Sequence, residues 1–292
     1  MRSFTLLLIS CWLPLLAVGG SEQNDITFVV AGKTANFRQE TNGDLAALNY
    51  HFFAEIFLQE HGLVESASIL TPLSPTQAVA FTDSGYALEM HGGRYATERE
   101  LETNYPDGNY IFRYTSPSTG SQNQIVALIN HRSGSSGIPE PPQIKLYQGG
   151  SLVLPEEIDP RLDLNVTWSD FSDGDTDPLG IMNDLIFVIM GDCHGERKAH
   201  SGRPFENRPF LDYSATGYPI SAAVLQPEQT YQISVEHAVL DTTIHNGVPG
   251  FATFATTTFQ DIQTLGVAPV GEACTEILQK FDSGQTDLRR DA

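Results

Sequence analysis

Apolar and polar residues alternate strictly through several parts of the chain. Residues 48–58 show the pattern most clearly, because every second side chain there is apolar: Leu48, Tyr50, Phe52, Ala54, Ile56 and Leu58. Successive side chains of a β-strand point to opposite faces, so this spacing predicts a strand with one buried face. The same alternation recurs at residues 86–90, 110–114, 162–168 and 231–235.

Uninterrupted apolar runs predict central strands. They occur at residues 26–31, 124–129 and 185–190, with the sequences ITFVVA, QIVALI and LIFVIM. Helical spacing is confined to one turn at 99–104 and a short segment at 272–281. Many short strands with turn residues between them predict an all-β fold built from antiparallel β-sandwiches.

Composition divides the chain into parts. The segment 132–142 is rich in Ser, Gly and Pro, which predicts a linker. It separates a sandwich-like domain at residues 21–131 from a second domain at residues 143–266, so we expect two antiparallel β-sandwich domains in tandem. Residues 267–292 are expected to form a C-terminal tail with a short helix.

The first twenty residues have the pattern of a secretion signal peptide. Arg2 precedes an apolar run from Phe4 to Val18, and two small residues, Gly19 and Gly20, follow it. The run is too short to cross a membrane, and no later stretch reaches the roughly 18 apolar residues that a span needs. We therefore expect a secreted protein, extracellular or periplasmic, with no membrane insertion.

The net charge is strongly negative. The sequence contains 36 Asp and Glu against 16 Lys and Arg, a formal net charge of −20. Such a surface repels nucleic acid and anionic lipid, so no nucleic-acid partner is expected. Solubility in a salty medium is the simplest interpretation of this charge, and the collection of cations is the alternative.

Two cysteines remain once the signal peptide is removed, Cys193 and Cys274. An even pair in an oxidising compartment predicts a disulfide bond. Closing a loop of about 80 residues stabilises a fold by about 4 kcal/mol in the chain-entropy model. Two free thiols are the alternative.

Residues 143–260 carry a resemblance to a known domain family. LNVTW at 164–168 and LIFVIM at 185–190 match its second and third strands, and Leu225, Pro227 and Tyr231 keep its spacing before the sixth. On these residues the segment resembles a fibronectin type III domain. The resemblance implies a sandwich in which the Tyr231 hydroxyl bonds to upstream backbone, and a scaffold or adhesion use. The whole chain resembles exported bacterial two-domain β-sandwich proteins to which no activity is attached.

A basic segment with several rings interrupts the acidic background. The predicted ligand-binding residues are Arg197, Lys198, His200, Arg203, Phe205, Arg208, Phe210, Tyr213 and Tyr218. Guanidinium groups bind carboxylate or sulfate groups while flat rings stack on sugar faces. The segment therefore predicts recognition of an acidic polysaccharide or cell-envelope component. The alternative is that these cations pair with the acidic loop 170–177 or with a neighbouring domain.

That acidic loop contains closely spaced carboxylates around a glycine. The candidate metal ligands are Asp170, Asp173, Asp175 and Asp177. Ca²⁺ takes six to eight oxygen ligands from flexible backbone, so the loop is a candidate calcium site. Its spacing is not that of an EF-hand, and a solvated turn is the alternative. No other cofactor is predicted.

Polar and aromatic residues also lie on the second face of the strand at 48–58. His51, Phe53 and Phe57 alternate with its apolar set. They predict either an exposed aromatic platform for a sugar or a seam between the two domains. Burial in the seam is favoured, because clusters of apolar side chains on a protein surface are usually covered by another part of the structure.

Sequence motifs for catalysis are missing. The chain contains no His-Glu-x-x-His, Cys-x-x-Cys or Gly-x-Ser-x-Gly. We therefore predict an exported, non-enzymatic binding or adhesion protein. An extracellular polysaccharide hydrolase or lyase is the first alternative, since such chemistry needs only two facing carboxylates. A structural spacer without its own ligand is the second.

Overall fold

The computed structural model describes residues 25–278, apart from 65, 86, 132–136 and 207. The predicted signal peptide, part of the predicted linker and most of the predicted C-terminal tail therefore lie outside the described residues. Within the described residues the chain is almost entirely β-structure, which confirms the predicted all-β class. The predicted helical turn at 99–104 is also confirmed, as helix α1 (Glu98–Asn104).

The strands of the N-terminal half are β1 (Ile26–Gln39), β2 (Leu45–Leu58), β3 (Ser66–Thr71), β4 (Ser74–Ala80), β5 (Thr82–Asp83), β6 (Ala87–Tyr95), β7 (Gly108–Ser116) and β8 (Gly120–Leu128). Those of the C-terminal half are β9 (Ile144–Gln148), β10 (Ser151–Leu152), β11 (Leu164–Trp168), β12 (Leu185–Asp192), β13 (Arg197–His200), β14 (Leu211–Asp212), β15 (Gly217–Ile220), β16 (Thr230–His245) and β17 (Val248–Gln263). A short 3₁₀ turn covers Ala222–Val224.

One nine-stranded sheet runs through both halves of the chain. Its order is β13-β12-β16-β17-β1-β2-β6-β5, with β14 paired to β12. The two halves join where β1 pairs in parallel with β17, from Val29 opposite Gly250 to Arg38 opposite Phe259. The other pairings of this sheet are antiparallel. We call it the central sheet.

Two four-stranded sheets cover one face of the central sheet side by side. The first has the order β4-β3-β7-β8 and the second β10-β9-β11-β15. Phe254 of β17 belongs to the core beneath the first sheet, and Ile262 to the core beneath the second. Because these two residues are eight positions apart on one strand, they point to the same side. We call this side the covered face and the opposite side the uncovered face.

The alternation seen in the sequence separates the two faces. In β2, Phe52 is fully buried on the covered face, where it stacks on Tyr105 and Tyr110 at centroid distances of 4.3 and 4.9 Å. The next residue, Phe53, belongs to a separate apolar cluster on the uncovered face. The same strand therefore contributes to two different environments.

An ion-paired lysine attaches helix α1 to the covered face. Lys33 of β1 is fully buried, and its Nζ lies 2.7 Å from carboxylate oxygens of both Glu102 and Asp107. The helix begins with a capping box, in which Thr97 and Glu100 each accept a hydrogen bond from backbone at the other's position. These contacts fix the turn that leads into β7.

The predicted tandem of two separate sandwiches is not confirmed, because one continuous sheet serves both halves. Within the second half, the Tyr231 hydroxyl contacts upstream backbone, accepting from the amide of Gln226 at 2.9 Å and donating to the carbonyl of Val224 at 3.4 Å. The resemblance to fibronectin type III domains itself stays a prediction. Residues 272–278, the described part of the predicted C-terminal helix, are not helical.

Candidate functional site

A pocket of about 480 Å³ lies on the uncovered face of the central sheet. Volumes of this size are typical of small-molecule sites, which combine an apolar lining with a few polar groups. Strands β1, β2, β12, β16 and β17 form its floor, and the segment 203–206 forms one wall. The aromatic lining residues are Phe28, Phe53, Phe57, Phe187, Phe205 and Phe251.

Four of these rings pack against one another. Phe28 stacks on Phe57 with a centroid distance of 4.2 Å and meets Phe251 edge-on at 5.6 Å. Three of the four, Phe28, Phe57 and Phe251, come from the neighbouring strands β1, β2 and β17, and each points to the uncovered face because its neighbours along the strand point to the covered face. The fourth is Phe205. Aliphatic side chains of Val30, Met182, Leu185 and Leu240 complete the floor.

The wall over this floor belongs to the segment 201–210, which we call the flap. The Phe205 ring lies 5.0 Å from that of Phe28 and 6.1 Å from that of Phe251, and 48% of Phe205 is exposed. Gly202 has φ +93°, and a Cβ there would lie 2.0 Å from the carbonyl oxygen of Pro209. Only glycine fits this position, which folds the flap back on itself.

Charged residues also line the pocket. Glu55 and Glu236 are only 5% and 7% exposed, and the Thr257 hydroxyl donates a hydrogen bond of 2.8 Å to Glu236. Arg203 and Glu206 of the flap lie at the rim. The charged groups of the lining are therefore three carboxylates and one guanidinium, set among rings.

A further buried carboxylate faces Glu55. Glu89 of β6 is directly opposite Glu55 of β2 in the antiparallel register, and it is also 5% exposed. Directly opposite side chains on antiparallel strands have Cβ atoms about 5 Å apart. The Ser84 hydroxyl donates to Glu89 at 2.8 Å, and the His91 ring lies 3.3 Å from its other oxygen.

The predicted basic segment is largely neutralised by the protein's own carboxylates. The Nζ of Lys198 lies 2.9 Å from Asp192 and 2.7 Å from Glu196. Arg208 is paired with Glu206 and also donates to Nδ1 of His200 at 2.8 Å. Lys198 and Arg208 therefore pair within the protein, with carboxylates that lie outside the loop 170–177.

His200 is a neutral hydrogen-bond acceptor in this network. Its Nδ1 accepts from the Gly202 amide at 2.9 Å as well as from Arg208, so the ring proton belongs on Nε2. Burial, and after it the nearby charges of Arg203, Arg208 and Arg197, lower the pKa of His200 to about 4. The ring is therefore uncharged at neutral pH.

The nine predicted ligand-binding residues do not form one surface. Arg203 and Phe205 line the pocket, whereas Tyr213 bonds to Thr176 at 2.9 Å and Tyr218 donates to the His200 carbonyl at 2.8 Å. Phe210 is 42% exposed and does not line the pocket. The remaining four are Arg197, Lys198 and His200 of β13 and Arg208 of the flap.

The aspartate loop is organised by backbone contacts. Asp177 is buried, and its carboxylate accepts hydrogen bonds of 2.8 to 3.0 Å from the amides of Leu179, Ile181 and Met182. Asp175 accepts from the Thr176 amide at 2.7 Å, while Asp170 and Asp173 are exposed. Among the described residues, no three of these carboxylates have ligand atoms within 4.8 Å of one another. Calcium binding stays a prediction that this geometry does not support.

The predicted disulfide is confirmed. Cys193 and Cys274 are bonded, with a Cα–Cα distance of 6.4 Å, and they hold the segment after β17 against the start of β16. His194 lies beside the two sulfurs, so these three residues form the one group in the described part of the chain with metal-ligand spacing. The sulfur atoms are bonded to each other and are not available as thiolate ligands.

No protein-family model matches the chain, and no curated protein is similar to it in sequence. Within the part of the chain that the structure describes, no helix is both long and apolar enough to cross a membrane.

Sequence reasoning located only part of this pocket. It placed Phe53 and Phe57 on a face of their own and favoured their burial, and the structure shows Phe53 buried and Phe57 half-buried. Phe28 and Phe187 lie within apolar runs that predict central strands, Phe251 lies outside those runs, and no local pattern connected the three. The signal that was present is the pair Phe53 and Phe57 on one face of β2.

Proposed function

We propose that this chain is a non-catalytic binding protein that takes a small ligand with a flat apolar body into the pocket of the uncovered face. The observation that carries the proposal is the group of six phenylalanine rings around about 480 Å³ of space, with one wall formed by the exposed Phe205. Such rings supply large apolar contact area at little entropic cost.

The binding role is retained from the sequence, and the ligand class changes. Lys198 and Arg208 already contact Asp192, Glu196 and Glu206, so the charge on which recognition of an acidic polysaccharide depends is mostly used within the protein. A pocket of this size also suits a small molecule better than a polysaccharide chain, which weakens the alternative of a hydrolase or lyase.

Export remains part of the proposal. It is supported by the apolar stretch that follows Arg2 and by the disulfide, since such bonds persist in oxidising compartments. The ligand would then be met outside the cytoplasm. The disulfide joins the turn between β12 and β13 to the segment after β17.

A neutral fluorescent probe, N-phenyl-1-naphthylamine, tests the binding role. We expect saturable one-site binding with a rise in fluorescence, and we expect Ala238→Phe to reduce the affinity at least ten-fold, because Ala238 lies on the pocket floor and a ring there occupies the space. The control is Ala80→Phe, the same change on the exposed edge strand β4. Equal binding by both variants, or no saturable binding at all, would contradict the proposal.

A further inference from the structure

We propose that the natural ligand of the pocket is an organic cation, such as an aromatic or methylated amine, rather than a neutral or anionic compound. This inference rests on the proposed binding function and names the chemical class of its ligand. It is carried by the charges of the lining, the arrangement of the rings and the charge of the whole protein.

The lining has an excess of negative charge. Glu55, Glu206 and Glu236 face it, against the single guanidinium of Arg203. Arg208 outside the lining pairs with Glu206, which leaves two lining carboxylates, Glu55 and Glu236, and one guanidinium, Arg203.

The two deepest carboxylates lie where water is scarce. Glu55 and Glu236 are more than nine-tenths buried; Phe53 lies two positions from Glu55 on the same face of β2, and Phe187 is directly opposite Glu236 in the pairing of β12 with β16. A carboxylate in apolar surroundings attracts a cation more strongly than a carboxylate in water does, because the local dielectric constant is low. A ligand ammonium group at this depth is therefore favoured.

The rings favour the same kind of ligand. The face of an aromatic ring carries partial negative charge, and a cation within about 6 Å of its centroid is attracted to it. Phe28, Phe57, Phe205 and Phe251 offer several ring surfaces around one space. A methylated ammonium ligand is attracted both by the rings and by the carboxylates. A carboxylate ligand is repelled by both.

The charge of the whole protein acts in the same direction. A formal net charge of −20 raises the local concentration of cations at the surface and lowers that of anions. The long-range part of this effect falls with salt, while the contacts inside the pocket do not. Cation selectivity that persists at high salt therefore reports on the pocket itself.

Two probes of equal shape test the inference: phenyltrimethylammonium and its neutral carbon counterpart, tert-butylbenzene. Each is titrated against bound N-phenyl-1-naphthylamine in 0.5 M salt. We expect the cation to displace the fluorophore at a concentration at least five-fold lower than the neutral compound, and we expect phenylacetate to be the weakest competitor.

The variant Glu236→Gln keeps the volume of the side chain and an oxygen that accepts from Thr257, and it removes the charge. We expect it to abolish the five-fold preference for the cation over tert-butylbenzene, with both competitors measured against the fluorophore bound to the same variant. Glu156→Gln, the same change at an exposed position outside the pocket, should keep the preference. Equal displacement by cation and neutral compound in the unmodified protein would overturn the inference and leave the binding function intact. Failure of the fluorophore to bind would overturn the binding function itself.

Discussion

The two faces of the central sheet are formed by the same strands but lie in different surroundings. On the covered face, Phe52 and its neighbours are buried in the core beneath the sheet β4-β3-β7-β8. On the uncovered face, Phe53, Phe57 and their neighbours meet only the flap and the segment near Met182, so a pocket remains. A sheet that is covered on one side needs its second side for no structural purpose, which leaves that side open to recognition.

The polar residues follow the same division. On the covered face the lysine charge of Lys33 is matched by two carboxylates, Glu102 and Asp107. On the uncovered face the carboxylates outnumber the guanidinium groups around the pocket. The two faces therefore differ in their charged groups as well as in their packing.

Truncation of adjacent strand positions should separate the faces most strongly. We expect Phe52→Ala to lower the free energy of unfolding by about 4 kcal/mol, because the side chain is fully buried between two tyrosines. Phe57→Ala should cost only about 1 to 2 kcal/mol, since that ring is half-exposed, and should weaken binding of N-phenyl-1-naphthylamine. Urea unfolding and probe titration measure the two effects. Equal losses of stability would break the comparison.

Acid sensitivity should come from the covered face. His237 is fully buried and stacked on Phe171, and burial lowers its pKa from 6.5 to about 4. Because the unfolded chain binds a proton in this window and the folded chain does not, the stability is fully present above pH 6.5 and is lost as the pH falls to 4. The loss from this group is on the order of 3 kcal/mol.

The variant His237→Phe isolates this contribution. We expect its stability to fall less than that of the unmodified protein between pH 6.5 and 4, with a remainder from His200, whose pKa is lowered in the same direction. Thermal unfolding at several pH values measures the difference. An unchanged pH dependence would show that His237 is not the group that responds.

The smallest effect on stability should come from the flap. We expect Phe205→Ser to change the free energy of unfolding by less than about 0.5 kcal/mol, because the side chain is half-exposed. It should nevertheless weaken the binding of the fluorophore about five-fold, since the Phe205 ring forms the pocket wall. Phe210→Ser in the same flap, also partly exposed, should leave affinity unchanged. A loss of affinity in both variants would mean that the flap acts through its folding and not through Phe205.

Local patterns predicted the strands and the two faces, and failed where residues distant in sequence meet. The alternation at 48–58 separated Phe52 from Phe53 correctly because the period of a strand is a property of adjacent residues. The parallel pairing of β1 with β17 joins residues more than 200 positions apart, and no local pattern encodes that register. The pocket depends on this pairing, since Phe28 and Phe251 meet across it.

The basic segment shows a different limit. Composition singled out Lys198 and Arg208 as an island of positive charge, but their partners Glu196 and Glu206 each lie only two positions away. Counting charges of both signs over the same short window would have predicted their pairing. The burial of Glu55 and Glu236 together could not be predicted in this way, because they lie on strands from opposite halves of the chain.

The methionines permit the most direct test of the central claim. Met182 lines the pocket on the uncovered face, whereas Met90 and Met190 are buried in the two cores of the covered face. In protein labelled with ¹³C at the methionine methyl groups, we expect phenyltrimethylammonium to shift the Met182 signal saturably and to leave the signals of Met90 and Met190 unchanged. Equal shifts at all three methionines, or a shift at Met90 or Met190 alone, would contradict the assignment of recognition to the uncovered face.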